Sequence, residues 1–154
     1  MTLPALGILT GISYISGLDY YRGINERFCA DVPQGHLMVP NPPIVMASVD
    51  CDEYVHYLTL GAFDKVAEHI LHGVRKLVAA GCDLLVIASN TGHISVPAIE
   101  QEFPALRILH IADCFAFRLK QRGISNVGLI GTKPTMEEDY LKARLSLHGI
   151  TTVV

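Results

Sequence analysis

"LVIASNTGH", residues 85–93, is the stretch that decides the fold. An apolar run stops at Ser89, and a polar turn containing Asn90, Thr91 and His93 follows. Just upstream, "DLLVIA" (83–88) is continuously apolar after Asp83, as a strand is when both of its faces are covered. Just downstream, Ser95 and Pro97 suit the start of a helix, which the sequence ends near Pro104. The unit of strand, polar turn and helix then recurs on both sides.

Toward the N-terminus, "ALGILT" (5–10) reads as a strand broken by "GISYIS", and "LDYYRGINERF" (18–28) carries Leu18, Tyr21, Ile24 and Phe28 at helical spacing. "DVPQGHLMVPNPP" (31–43) reads as a loop. "IVMASVD" (44–50) reads as a buried strand ending on polar residues. The next helix places Phe63, Val66, Ile70, Val74, Leu77 and Val78 on one face and stops at Gly81. Toward the C-terminus, "RILHI" (107–111) and "NVGLI" (126–130) read as strands. Asp113 is the expected cap of a helix running to Gly123. Thr135 and Glu138 form a T-x-x-E capping box, opening a helix that runs to about His148 and closes at Gly149. "ITTVV" begins one more strand. Strand–helix alternation throughout predicts an α/β protein with a doubly wound parallel sheet.

Composition narrows the function. The 154 residues suit one domain, or one domain and part of another, and half of them are hydrophobic. Net charge is −3, from 12 basic and 15 acidic side chains. With no basic block, nucleic acid is excluded as the expected partner. No apolar run approaches the roughly 20 residues of a membrane span, and "MTLPALGIL" lacks the positive start of a signal peptide. Cys29, Cys51, Cys82 and Cys114 are widely spaced without a C-x-x-C pair, which predicts reduced, mostly buried thiols in a cytoplasmic protein. His69 and His72 share a helix face at i, i+3 without an evident third ligand. They are expected as exposed residues, and no metal is expected.

Ligands of doubly wound sheets bind beyond the carboxyl ends of the strands. Four such ends carry small polar residues: Thr10-Gly11-Ile12-Ser13, Ser48-Val49-Asp50, Ser89-Asn90-Thr91, and Gly131-Thr132 with Thr135. "LLVIASNT" and "VGLIGTKPT" are close analogues. Each leads a strand into a hydroxyl-rich turn opening a helix, where free N–H groups and the helix dipole favour an anion. Two facing turns can hold the two ends of a small dicarboxylate, although any one such turn is also ordinary capping chemistry. Neither G-x-G-x-x-G nor G-x-x-x-x-G-K-[ST] is present, so nothing selects a nucleotide.

"GILTGISYISGLDYYRGINERF", "ASVD", "IASNTGH", "LHIAD" and "GTKPTMEEDYLKARLSLHGI" occur in this order. Together they resemble the cofactor-independent aspartate/glutamate racemase family across almost the whole chain. The resemblance implies a two-domain α/β fold with the active site in the interdomain cleft, here a first domain over 1–110 and the start of a second over 111–154. It implies racemisation of an acidic amino acid by two thiols flanking the α-carbon, with no cofactor, in a homodimer. A thiol suits proton transfer at carbon because its reference pKa of about 8.5 can be tuned toward neutrality. By position, Ser89 stands at the first thiol, and Asn90 and Thr91 hold the substrate's carboxylate or amino group. Thr132 and Thr135 form the second small-group site, Ser13 lies beside the cleft, and His93 has an orienting role.

The chain departs from the family pattern at specific points. Ser89 replaces a thiol, as a hydroxyl residue does in one branch of the family. The family's second thiol segment, Gly-Cys-Thr-Glu-like, has no counterpart here. Thr10 replaces a turn glycine and Gly17 a threonine. Family members run to roughly half as long again, so the chain is expected to be a fragment, with self-association as the other way to cover its apolar end. Cys51 and Cys114, each just past a strand, are expected to be buried packing residues rather than substitute thiols. Lys133 is the nearest basic candidate for a side-chain carboxylate. Two other readings keep the fold: an inactive small-carboxylate-binding protein, and an enzyme acting on maleate or arylmalonates.

Overall fold

The computed structural model describes residues 5–31 and 41–154. Most of the loop expected over 31–43 therefore lies outside the described residues. Four parallel strands form the larger sheet: β1 (Ala5–Thr10), β2 (Ile44–Ser48), β3 (Cys82–Ile87) and β4 (Arg107–Ile108), in the order β2-β1-β3-β4. The helices between them are α1 (Tyr14–Asp31), α2 (Cys51–Thr59), α3 (Phe63–Ala79) and α4 (Val96–Glu102). From β1 the chain crosses outward to β2, then back over β1 to β3. Right-handed crossovers in opposite directions put α1 on one face and α3 on the other, which is the doubly wound arrangement expected. The order reverses beside β1 and β3, so the ligand crevice of such a sheet falls at their carboxyl ends.

After β4 come α5 (Ile111–Gln121), β5 (Asn126–Gly128), α6 (Lys133–Glu137), α7 (Asp139–Leu147) and β6 (Thr151–Val153). β5 and β6 pair in parallel as a separate two-stranded sheet. Two cores result. Val66, Ile70, Val74 and Leu77 of α3 pack with Leu9, Leu85 and Ile87 of the larger sheet, and each is at most 1 % exposed. Burying each such aliphatic side chain contributes about 1.5–3 kcal/mol. The second core joins Ala112 and Ala116 of α5 to Leu141 and Leu145 of α7 and to Ile150.

Several boundaries differ from expectation for local physical reasons. β2 is an edge strand, so only Ala47 is buried in it and Met46 faces out. α1 begins earlier and ends later than its periodic stretch. Only Gly17 of its 18 residues is buried, and Leu18 and Tyr21 are exposed. Phe63 at the start of α3 is also exposed. β4 and β5 stop at Ile108 and Gly128, short of the apolar runs that contain them. The cap of α5 is His110, not Asp113: the His110 ring accepts from Ala112 N–H, and Asp113 sits in the first turn. The T-x-x-E box does not form. Thr135 lies inside α6, and Glu138, at φ −74° and ψ 153°, breaks the expected single helix into α6 and α7. Gly81 and Gly149 do close their helices at positive φ.

Candidate functional site

The switch-point crevice is built by backbone as much as by side chains. Val49 N–H donates to Thr10 carbonyl at 2.9 Å and Ala88 N–H to Leu9 carbonyl at 2.9 Å, so the ladder continues past β1 on both sides. Gly11 turns the chain at φ 100°, and a β-carbon there would stand 2.5 Å from Val49 nitrogen. Both conditions restrict the position to glycine. Ser16 of α1 then donates to Ala88 carbonyl at 2.6 Å, tying the start of α1 to the end of β3. Ser13, the serine singled out from sequence, is exposed; its carbonyl accepts from Thr10 hydroxyl and from Gly17 N–H.

Ser89 is half-buried, and its hydroxyl accepts from Gly92 N–H at 3.3 Å. Asn90 is exposed and Thr91 half-buried. The stretch after Asn90 is a 3-10 turn, Thr91–Ser95, rather than the first turn of an α-helix. His93 N–H is taken by Asn90 carbonyl at 3.1 Å. The supply of free N–H groups expected at a helix start is correspondingly smaller.

His93 is 1 % exposed and holds this turn from beneath. Its Nδ1 lies 2.7 Å from Ser89 carbonyl and 3.2 Å from Asn90 carbonyl. Carbonyls only accept, so Nδ1 carries the proton. Nε2 is then free to accept from Ile111 N–H at 3.2 Å. Burial pushes the imidazole below its ordinary value, so it stays neutral near pH 7.

Asn90 also lines a groove of about 280 Å³ with Ile111 and Phe115 of α5, Val127–Ile130 at the end of β5, and Leu141 and Leu145 of α7. The β3 and β5 tips thus meet in one opening. Thr132 and Thr135 are not on its wall. They bond to each other at 3.0 Å, and Tyr140 hydroxyl reaches Thr135 at 3.3 Å. Tyr54 of α2 is 2 % exposed, and its hydroxyl has no partner among the described residues. Burial raises its pKa, with smaller contributions from Tyr140 and Cys51.

Cations near these turns are committed. Lys133 is exposed and pairs loosely with Glu137 at 3.8 Å. Arg144 makes two bonds to Asp113, at 2.9 and 2.8 Å, which hold that carboxyl down at about 2; His148 adds a contact at 2.7 Å. The cysteines are the clearest reversal. Cys51 and Cys114 are exposed, Cys29 is half-buried, and Cys82 alone is buried. Cys51 thiol donates to Ile12 carbonyl at 3.1 Å, beside the β1 tip. His69 is not exposed either: it packs 2.9 Å from Asp50 carbonyl and 3.3 Å from Glu53. Among the described residues, no group of three metal-ligating side chains forms. A wider groove of about 630 Å³ runs from the β2 tip between α2 and α3, but it lies at the sheet's edge rather than at its switch point. His110, Ser16 and Tyr140 escaped the sequence reading. Only the helical periodicity after Ile111 could have pointed to His110 as a cap.

Comparison with known proteins agrees with this geometry. The model of the Asp/Glu/Hydantoin racemase family matches residues 9–154. A Yersinia pestis protein assigned to the Asp/Glu racemases is 34 % identical, with a TM-score of 0.87, over 98 % of this chain and 64 % of its own. An aspartate racemase homologue from Pyrococcus horikoshii OT3, at 24 % identity, shares the fold with a TM-score of 0.81 over 99 % of this chain and 64 % of its own. An aspartate racemase from Picrophilus torridus, at 22 %, shares it with a TM-score of 0.69 over 97 % and 62 %. The chain therefore spans somewhat under two thirds of the length of these structures. With its parallel sheet, its switch-point crevice and its Ser-Asn-Thr turn, the chain belongs to the Asp/Glu/Hydantoin racemase family.

Proposed function

We propose that the chain carries the substrate grip, and one of two proton-transfer faces, of a cofactor-independent racemase acting on aspartate or glutamate. The observation that carries this reading is the β3 tip. Buried His93 fixes the Ser89 and Asn90 carbonyls, while the Asn90 side chain opens onto the groove shared with β5. In this reading Asn90 and Thr91 bind the α-carboxylate. Negative charge grows on that carboxylate as the α-proton leaves, and aligned donors stabilise it. Ser89 serves one face of the α-carbon. Its hydroxyl is a far weaker acid than a thiol, so the rate it supports is low. Ser13 borders the crevice, and the Thr132–Thr135 pair orders the β5 side. The division at residues 110 and 111 into a first domain and the start of a second belongs to the same reading. So do a cytoplasmic setting and a homodimer, which the exposed apolar residues Tyr14, Ile15 and Leu18 of α1 favour.

Proton NMR in deuterium oxide tests it. Loss of the α-proton signal of aspartate or glutamate, abolished in Ser89→Ala, is the expected result. No exchange with either amino acid rejects racemisation. Ser89 itself favours a second reading, in which the crevice binds a small carboxylate without turning it over. Calorimetric binding without exchange would establish that alternative.

A further inference from the structure

We propose that His110 is a positioning residue for the Ser89–Asn90 turn, acting through His93. The inference rests on the reading that this turn grips the substrate carboxylate. The two imidazoles lie with ring centroids 4.6 Å apart, tilted by 58°. Both are almost fully buried, at 1 % and 3 % exposure. His110 Nδ1 accepts from Ala112 N–H at 3.1 Å and thereby caps α5. The preceding N–H of that turn, Ile111, is the donor to His93 Nε2 at 3.2 Å. His93 in turn donates from Nδ1 toward the Ser89 and Asn90 carbonyls. One continuous path therefore runs from the α5 cap to the β3 tip, and His110 sets its far end twice, as cap and as packing partner.

The path requires both rings to be neutral. A second proton on His93 would place N–H against Ile111 N–H. A second proton on His110 would do the same at Ala112, and two cations 4.6 Å apart would repel. The charged and titratable neighbours are Arg144 and Tyr140 of α7, Glu100 of α4 and Asp113 of α5. Asp113 is occupied by Arg144 and His148, and Arg144 also faces Glu100 at 3.8 Å. Burial, then His93 and Arg144, push His110 down to about 4, against the smaller opposing effect of Asp113.

Two variants test the relay. His110→Asn keeps an acceptor for Ala112 N–H but cannot titrate. His110→Leu removes the acceptor. Titration calorimetry with aspartate and glutamate, from pH 7.5 to 3.5, should show wild-type affinity falling as pH drops through about 4. Asparagine should hold affinity within about twofold at pH 7 and flatten the acid fall, whereas leucine should lose about tenfold or more. In parallel, ¹H–¹⁵N spectra without ligand should show the Ser89 and Asn90 amides displaced in the leucine variant and restored in the asparagine variant. Unmoved amides in folded His110→Leu, or an unchanged acid profile in His110→Asn, would overturn the proposal. If wild type binds neither amino acid, the functional reading fails on the calorimetry alone, and the amide resonances still decide the relay.

Discussion

A β-carbon on Gly17 would stand 2.7 Å from the Cβ of Thr10, closer than two such carbons pack. The two departures from the family pattern at the cleft edge are therefore one compensated exchange. The space that a side chain at position 17 would need is filled here by the side chain of Thr10. Gly17→Thr alone should cost about 2–3 kcal/mol by overpacking. Thr10→Gly alone should cost about 1–2 kcal/mol through lost packing and backbone freedom. The double exchange should recover about 1 kcal/mol or more over the sum of the two. A double-mutant cycle from denaturant midpoints measures this, and simple additivity would refute it.

The Asp113–Arg144 pair makes a separate prediction. Its carboxyl is held at about 2, below an ordinary value of 3.8. The folded state thus binds fewer protons than the unfolded one between these values. The contribution is full above about pH 4 and disappears as pH falls through about 2. Asp113→Asn should cost about 1–2 kcal/mol at neutral pH, since each side chain is 32 % exposed and partly screened. Its stability should also be flatter than wild type across that acid window. Thermal melts at pH 5, 4 and 3 resolve the two curves.

On the proposed racemase reading, a thiol at position 89 should show what Ser89 limits. Ser89→Cys places an acid of reference pKa about 8.5 where a hydroxyl now stands. The exchange rate with the preferred amino acid should rise by tenfold or more and should increase with pH toward 8. A rate at or below wild type would mean that the first-face residue is not rate-limiting.

Exposure separates the cysteines chemically. Cys51 and Cys114 should be alkylated by iodoacetamide in the native protein, while Cys82 should react only after unfolding. Peptide mass mapping before and after denaturant reads each site.

Much of the fold was legible because burial on both faces leaves continuous apolar runs, as in 84–88, and because helix stops at Gly81 and Gly149 are fixed by backbone geometry. What escaped was set by tertiary context. β2 looks like a core strand until its edge position is known. Asp113 has the composition of a cap but is drawn into an ion pair with a residue 31 positions away. Thr135 has the spacing of a capping box, yet Tyr140 and Thr132 claim its hydroxyl. Sequence singled out the Ser89–Thr91 turn, which lies just past the end of β3. The supports, His110 and Ser16, are single polar residues whose partners lie 2 to 72 positions away and leave no periodic trace.

The Ser16–Ala88 bond has a mechanical side. It fastens the first turn of an 18-residue rod to the end of the central strand pair. The other end of that rod stands about 25 Å away by helical rise. Leu18 and Tyr21, near the fastening, point into solvent. Because Ser13 lies within one turn of that fastening, a few degrees of tilt in the rod would be felt mainly at its Asp31 end and would leave the rim of the crevice nearly where it stands.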